Sequence, residues 1–262
     1  MKTKILVATH KEKSLMQNEI FLPIQVNAQK SGYIIDSDYI LDNTLNHISE
    51  KNYTFNELTA LYWAWKNMAD LDISGLMHYR RYLDLHYKKK LFKKEPIHII
   101  DAVKSDNSKF VQLSDVKKTN KVIQKILQNY DMAVPRPAFC SIDGVISSIA
   151  QDYKHNHIAQ DWDICMEIVI EKFPEYKNSI AEYLEKGSKF YIGNMFIAKR
   201  QIMNEYCNWL FTILFETEKR ITFSEDPYQK RVIGFLSERL FTLYILHKKF
   251  KLKELPILFV ES

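Results

Sequence analysis

Apolar and polar positions alternate along this chain in blocks that mark out its elements. Lys4 to Ala8 is a compact apolar run closed by Thr9-His10-Lys11, which predicts a buried first strand and a polar loop. Ile20 to Val26 predicts a second short strand. Between Asp42 and Asn52 the chain turns polar, with Asp42-Asn43-Thr44 and then Ser49-Glu50-Lys51-Asn52. Side chains of this kind bond to their own backbone, so a loop is expected. From Phe55 to Asn67, the residues Leu58, Leu61, Tyr62 and Trp65 recur at helical spacing, with Asn56 as N-cap and Glu57 in the first turn. Ile73 to Met77 predicts a central strand, and His78-Tyr79-Arg80-Arg81-Tyr82 stands at its C-terminal end.

Further along, Asp115 to Asn129 predicts a helix and Tyr130 to Pro135 a strand. Ile142 to Ala150, Asp161 to Lys172 and Asn178 to Lys186 carry helical patterning, and Tyr191 to Ala198 reads as a strand. Ile202 to Glu218 and Arg231 to His247 predict long amphipathic helices. The alternation implies an α/β fold, a single domain over residues 1–262 with a helical C-terminal half wrapped on an N-terminal sheet. Ligands of such sheets bind beyond the carboxyl ends of the strands. Thr9-His10 and His78 to Arg81 both fall there.

Composition narrows the classes. Of 262 residues, 46% are hydrophobic and 13% aromatic, with only 6 glycines and 7 prolines, so a packed core is expected and disorder is not. The net charge of +5 suits phosphate-rich small molecules, an anionic membrane face or nucleic acid, and equally a lysine-rich surface with no partner. No nucleic-acid-binding motif accompanies it, so no nucleic-acid partner is expected. The cysteines Cys140, Cys165 and Cys207 are odd in number and unpaired in spacing, which predicts buried free thiols in a reducing cytoplasm. The N-terminal apolar run is too short for a signal peptide, and no run reaches the roughly 18 apolar residues that span a bilayer.

No P-loop, G-x-G-x-x-G or G-x-S-x-G string is present, so kinase, dehydrogenase and hydrolase readings lack an anchor. The most unusual string is His78 to Tyr82. Two guanidiniums offer forked donors to phosphate oxygens, and the rings can stack on a base or sugar; the other reading is a solvated edge with structural ion pairs. Thr9, His10, Asp42, Asn43, Lys51 and Asn52 are candidates for a nucleotide, or ordinary turn residues. Tyr62, Trp63 and Trp65 form an aromatic band that belongs mainly to the core. His155, His157 and Asp161 match no metal-ligand spacing, so no metal ligand is assigned. Asp36-Ser37-Asp38 lies in a polar turn and is not taken as a metal site. Asp161 is a helix N-cap or a catalytic base. Glu238, beside Arg239 in an apolar helix, is a structural ion pair or a functional carboxylate.

Several strings together resemble one family. They include Val7-Ala8-Thr9-His10-Lys11, Asp42-Asn43-Thr44, Glu57 to Asn67, Gly75 to Tyr82, Gly193-Asn194-Met195-Phe196-Ile197 and Gly234-Phe235-Leu236-Ser237-Glu238-Arg239-Leu240. The resemblance, over nearly the whole chain, is to a bacterial family long described as a domain of unknown function and linked to capsular and exopolysaccharide glycosyltransferases. It implies a GT-A-like, Rossmann-like sheet, a hexose donor linked to a nucleotide such as UDP, and a lipid-linked or soluble glycan acceptor. Under it Thr9, His10, Asp42, Asn43, Lys51 and Asn52 line the nucleotide side, and Arg80 and Arg81 neutralise the diphosphate. His78 becomes a hydrogen-bond donor or metal ligand, and Asn194 holds the donor sugar. For an inverting enzyme the base is Asp161 first and Glu238 second. A manganese or magnesium ion is the candidate cofactor, although His78-Tyr79-Arg80-Arg81 stands where related families carry D-x-D. The family has glycine where this chain has Leu45, so another loop path is expected around Asp42 and Asn43. The lysines between 88 and 94, with Lys248, Lys249, Lys251 and Lys253, form a face for an anionic inner leaflet or a plain basic surface. A non-catalytic glycan-binding or assembly subunit is the alternative.

Overall fold

A computed structural model describes residues 1–11, 15–88, 103–104 and 107–260. Among these, ten strands form one sheet: β1 (Thr3–Thr9), β2 (Phe21–Gln25), β3 (Ile40–Leu41), β4 (Ile73–His78), β5 (Arg81–Leu83), β6 (Val103–Lys104), β7 (Met132–Pro135), β8 (Phe196–Lys199), β9 (Leu252–Leu255) and β10 (Ile257–Phe259). The main order is β9-β7-β8-β4-β1-β2-β3. β1 pairs in parallel with β2 and β4, while β8 runs antiparallel between β4 and β7. β10 pairs with β5 and β6 at the flank.

The continuous apolar run of β1 reflects burial on both faces. Leu6 and Ala8 pack into one core with the helices, and Ile5 and Val7 into a second core on the other side. The first core holds α1 (Leu58–Asn67), α3 (Ile149–Asn156), α4 (Ala159–Lys172), α5 (Arg200–Arg220) and α6 (Val232–His247); α2 (Val116–Asn129) covers the second with Ile123 and Leu127. Gly75 of β4 is required by close packing, since a Cβ there would strike the Phe196 carbonyl of β8. Buried Arg200 donates to the Trp65 carbonyl (2.6 Å), placing a cation at the C-terminus of α1 where it offsets the helix dipole. Trp65 stacks on Phe211 of α5, and Trp63 bonds the Thr44 carbonyl (2.9 Å), so the aromatic band is packing, as read.

The α/β class matches the sequence reading. Four elements differ. Asn56 is no N-cap: its φ of 49° breaks the chain between a short helix, Asn52–Phe55, and α1. Ile142 to Ala150 is not helical throughout; Asp143-Gly144 turns a hairpin joining Ser141–Ile142 to Val145–Ile146, and α3 starts only at Ile149. The expected strand Tyr191 to Ala198 is split. Lys189–Phe190 pairs elsewhere, β8 begins at Phe196, and a loop lies between. In the C-terminal half, two strands not expected from the sequence, β9 and β10, join the sheet. The three cysteines are buried and free. No helix among the described residues is long and apolar enough to cross a membrane. Residues 89–94 of the lysine-rich stretch lie outside the described residues.

Candidate functional site

Beyond the C-terminal ends of β1 and β4 opens a cleft of about 620 Å³. Ala8 and His10 reach it from β1, and Val26 from just past β2. β4 ends at His78, turns through Tyr79-Arg80, and returns as β5, with His78 paired to Arg81. The Tyr79 amide donates to the Ala8 carbonyl (3.0 Å), and the Val260 amide to the Arg80 carbonyl (2.9 Å), so this hairpin is fixed to β1 and to the tail of β10. His78, Tyr79, Arg80 and Arg81 therefore all line the cleft. Arg80 is exposed and its guanidinium has no partner among the described residues. Arg81 lies over the Phe259 ring at 5.6 Å. A third guanidinium, Arg231, donates through Nε to Asn56 Oδ1 (3.1 Å). Three clustered guanidiniums create a field that suits a diphosphate.

Beneath them runs a hydrogen-bonded floor. His78 Nε2 meets the Gly193 carbonyl at 2.5 Å, which requires the proton on Nε2. Burial holds the His78 pKa below its usual value against the pull of Glu57 and the Gly193 bond, so the ring is a neutral donor. The Gly193 amide donates to Glu238 Oε1 (2.6 Å). Asn194 Nδ2 donates to Glu57 Oε1 (2.8 Å) and to Ser237 Oγ (2.8 Å). Gly193 and Asn194 have φ of 82° and 50°, and this left-handed pair is what interrupts the expected strand. Burial raises the Glu238 pKa and Arg239, at 3.4 Å, opposes the rise. α6 thus supplies Ser237 and Glu238 to the floor, and Gly234 a surface on which Asn56 rests.

Of the residues expected from the sequence, His10, Asn52, His78, Arg80 and Arg81 line the cleft, and Asn194 and Glu238 lie in its floor network. The others lie outside the lining. Thr9 is fully buried, its hydroxyl bonded to the Lys11 backbone (2.9 Å). Asp42 is buried among donors, Asn43 adjoins it, and Lys51 pairs with Glu218 (2.7 Å). Asp161 is buried in the first turn of α4, and desolvation pushes its carboxyl up to about 6. Glu57, Tyr53, Asn56, Arg231 and Phe259 line the cleft without having been expected there. Glu57 reads in the sequence as an ordinary helix-start acid and Arg231 as a helix boundary. Phe259 falls in a segment assigned no element.

A family model described as Domain of unknown function (DUF4422) matches residues 4–249. The chain belongs to the DUF4422 family. No curated protein matches it. Among solved structures, one titled the apo structure of the bifunctional glycosyltransferase WbbM is similar, with a TM-score of 0.85 and 30% identity. The alignment covers 100% of this chain and 46% of that one, so the DUF4422 chain spans just under half of that protein's length. The sheet is GT-A-like, as the resemblance implied. No residues of this cleft are assigned to the manganese or magnesium ion that the resemblance carries with it. Among the described residues no three His, Cys, Asp or Glu side chains converge, and Glu57 and Glu238 already accept hydrogen bonds beside three guanidiniums.

Proposed function

We propose that this DUF4422 protein is a glycosyltransferase that moves a hexose from a nucleoside-diphosphate donor, UDP-linked, onto a glycan acceptor of capsule, exopolysaccharide or O-antigen synthesis. The observation that carries the reading is one cleft holding Arg80, Arg81 and Arg231 together with the carboxylate of Glu57. Such a transfer needs both: cations for the diphosphate as it leaves, and a base for the acceptor hydroxyl. The 30% identity to a glycosyltransferase structure supports the same activity.

In this mechanism the acceptor oxygen attacks the anomeric carbon while the bond from that carbon to the diphosphate oxygen breaks. Glu57, one oxygen steadied by Asn194, receives the hydroxyl proton. The guanidiniums take up the charge that develops on the departing diphosphate, the contribution expected to dominate the rate. Glu238 and His78 hold the Gly193-Asn194 loop from either side. Glu238 stands second as a base, and Asp161, outside the lining, third. The acceptor is lipid-linked or soluble. A cytoplasmic enzyme could meet a lipid-linked acceptor at the inner leaflet through Lys248, Lys249, Lys251 and Lys253.

Thermal melting with a panel of nucleoside diphosphates and nucleotide sugars, with EDTA or with manganese, tests the reading. Stabilisation by one diphosphate in EDTA is expected. No shift with any nucleotide, under either condition, replaces the reading with that of a glycan-binding subunit without turnover.

A further inference from the structure

One group of side chains next to the cleft is left unused by this reaction. Tyr228 is 54% exposed and sits between Pro227 and Arg231, both of which line the cleft. Its ring lies 5.0 Å from that of Phe235, and Phe235 stacks on His157 at 4.2 Å with 23° between planes. Tyr228 and His157 are themselves near parallel, 24° apart at 5.9 Å. A solitary exposed tyrosine would need no account; this one belongs to a braced array. Asp226 Oδ1 accepts the amides of Tyr228 (3.0 Å) and Gln229 (2.8 Å), locking the turn that carries the ring. Gln229 Oε1 meets His157 Nδ1 (3.3 Å), and its Nε2 donates to the Asn156 carbonyl (3.1 Å), fixing the imidazole. Burial, then Arg239, pushes the His157 pKa down to about 4, so the imidazole is uncharged at neutral pH.

The array is therefore neutral, preorganised and partly open, at the edge of a strongly cationic cleft. Aromatic faces held in this way take the apolar C–H face of a sugar ring with little loss of conformational freedom. With the donor's diphosphate assigned to the guanidinium cluster, the cleft's edge is the space left for the second substrate. We infer that Tyr228, seated on Phe235 and His157 beside Pro227 and Arg231, is a binding platform for a sugar ring of the glycan acceptor. This rests on the glycosyltransferase reading.

Saturation-transfer NMR, irradiating the protein's aromatic resonances, separates the two. The probes are methyl hexopyranosides, methyl hexofuranosides, uridine and UDP, each with wild type, Tyr228→Ala and Tyr228→Phe. Transfer to the ring protons of at least one glycoside is expected in wild type and Tyr228→Phe, with at least a fivefold loss in Tyr228→Ala and an unchanged UDP signal in all three. Glycoside signals absent from wild type, or equal in Tyr228→Ala, overturn the platform. A uridine signal that collapses in Tyr228→Ala also overturns it, assigning the rings to the base. If UDP fails to bind while glycoside transfer still depends on Tyr228, the platform stands and the nucleotide reading falls.

Discussion

Two clusters of charged side chains occupy strand ends of this protein, and they do opposite things. At the end of β3, Asp42 is 0% exposed. It accepts from the amides of Asn27 (3.1 Å) and Ala28 (3.0 Å) and from the hydroxyls of Ser49 (2.5 Å) and Thr59 (2.7 Å). A carboxylate offers about four acceptor positions, so none remains for a ligand. In the hairpin after β4, Arg80 and Arg81 make no ion pair among the described residues and line the open cleft. Saturation of hydrogen-bonding capacity separates this scaffold group from the site. Asp42 ties the loop after β2, the turn at Ser49–Lys51 and α1 into one rigid wall, and the arginines are the groups that the wall leaves free to act.

The comparison can be broken experimentally. The largest effect is expected from Arg80→Ala and Arg81→Ala: turnover falling on the order of 100- to 1000-fold with the melting temperature unchanged. Wild-type turnover in both variants would remove the clamp. Asp42→Asn should do the reverse. It swaps an acceptor for a donor amid four donors, at about 3 kcal/mol, lowering the melting temperature by on the order of 10 °C while nucleotide affinity persists below the transition. Lost affinity at unchanged stability would make Asp42 part of the site after all.

Asp161 gives the smallest effect and sharpens the contrast, being a buried carboxylate (5% exposed) whose raised pKa has desolvation as its cause. Its folded pKa of about 6 exceeds the unfolded value of 3.8, so its contribution is fully present below pH 3.8 and is lost as pH rises through 6. At pH 7 the ionised group costs the fold on the order of 2 kcal/mol. Asp161→Asn should therefore raise the melting temperature at pH 7, with the gain disappearing near pH 4. Destabilisation at pH 7 would reveal a partner for Asp161.

Much of the fold is legible in the sequence because its signals are redundant. β1 carries an unbroken apolar run from Ile5 to Ala8, and Asp115 caps α2 through the Lys118 amide (3.0 Å) as its position suggests. The site was half legible. His78, Arg80 and Arg81 form a conspicuous string at a strand end, but Glu57, Arg231 and Phe259 are brought to it by contacts far apart in sequence. Two breaks are hidden in the sequence because apolar residues outweigh turn chemistry there. Asp143-Gly144 is a two-residue hairpin signal that the apolar Val145-Ile146 obscured, and Gly193-Asn194 breaks a run that reads as a strand. Leu45 is a further position where the backbone departs from the ordinary L-residue regions. Its φ is 53°, the left-handed backbone open to glycine, adopted here by an exposed leucine.

The seat of β10 has a consequence for synthesis on the ribosome. Phe259 of β10 and Ala8 of β1 both line the cleft, and β10 covers the edge of β5. At translation speeds of about 5–20 residues per second, that edge stays unpaired until nearly the whole described chain has emerged. Until β10 has emerged, the nascent protein has its cations but not its finished cleft.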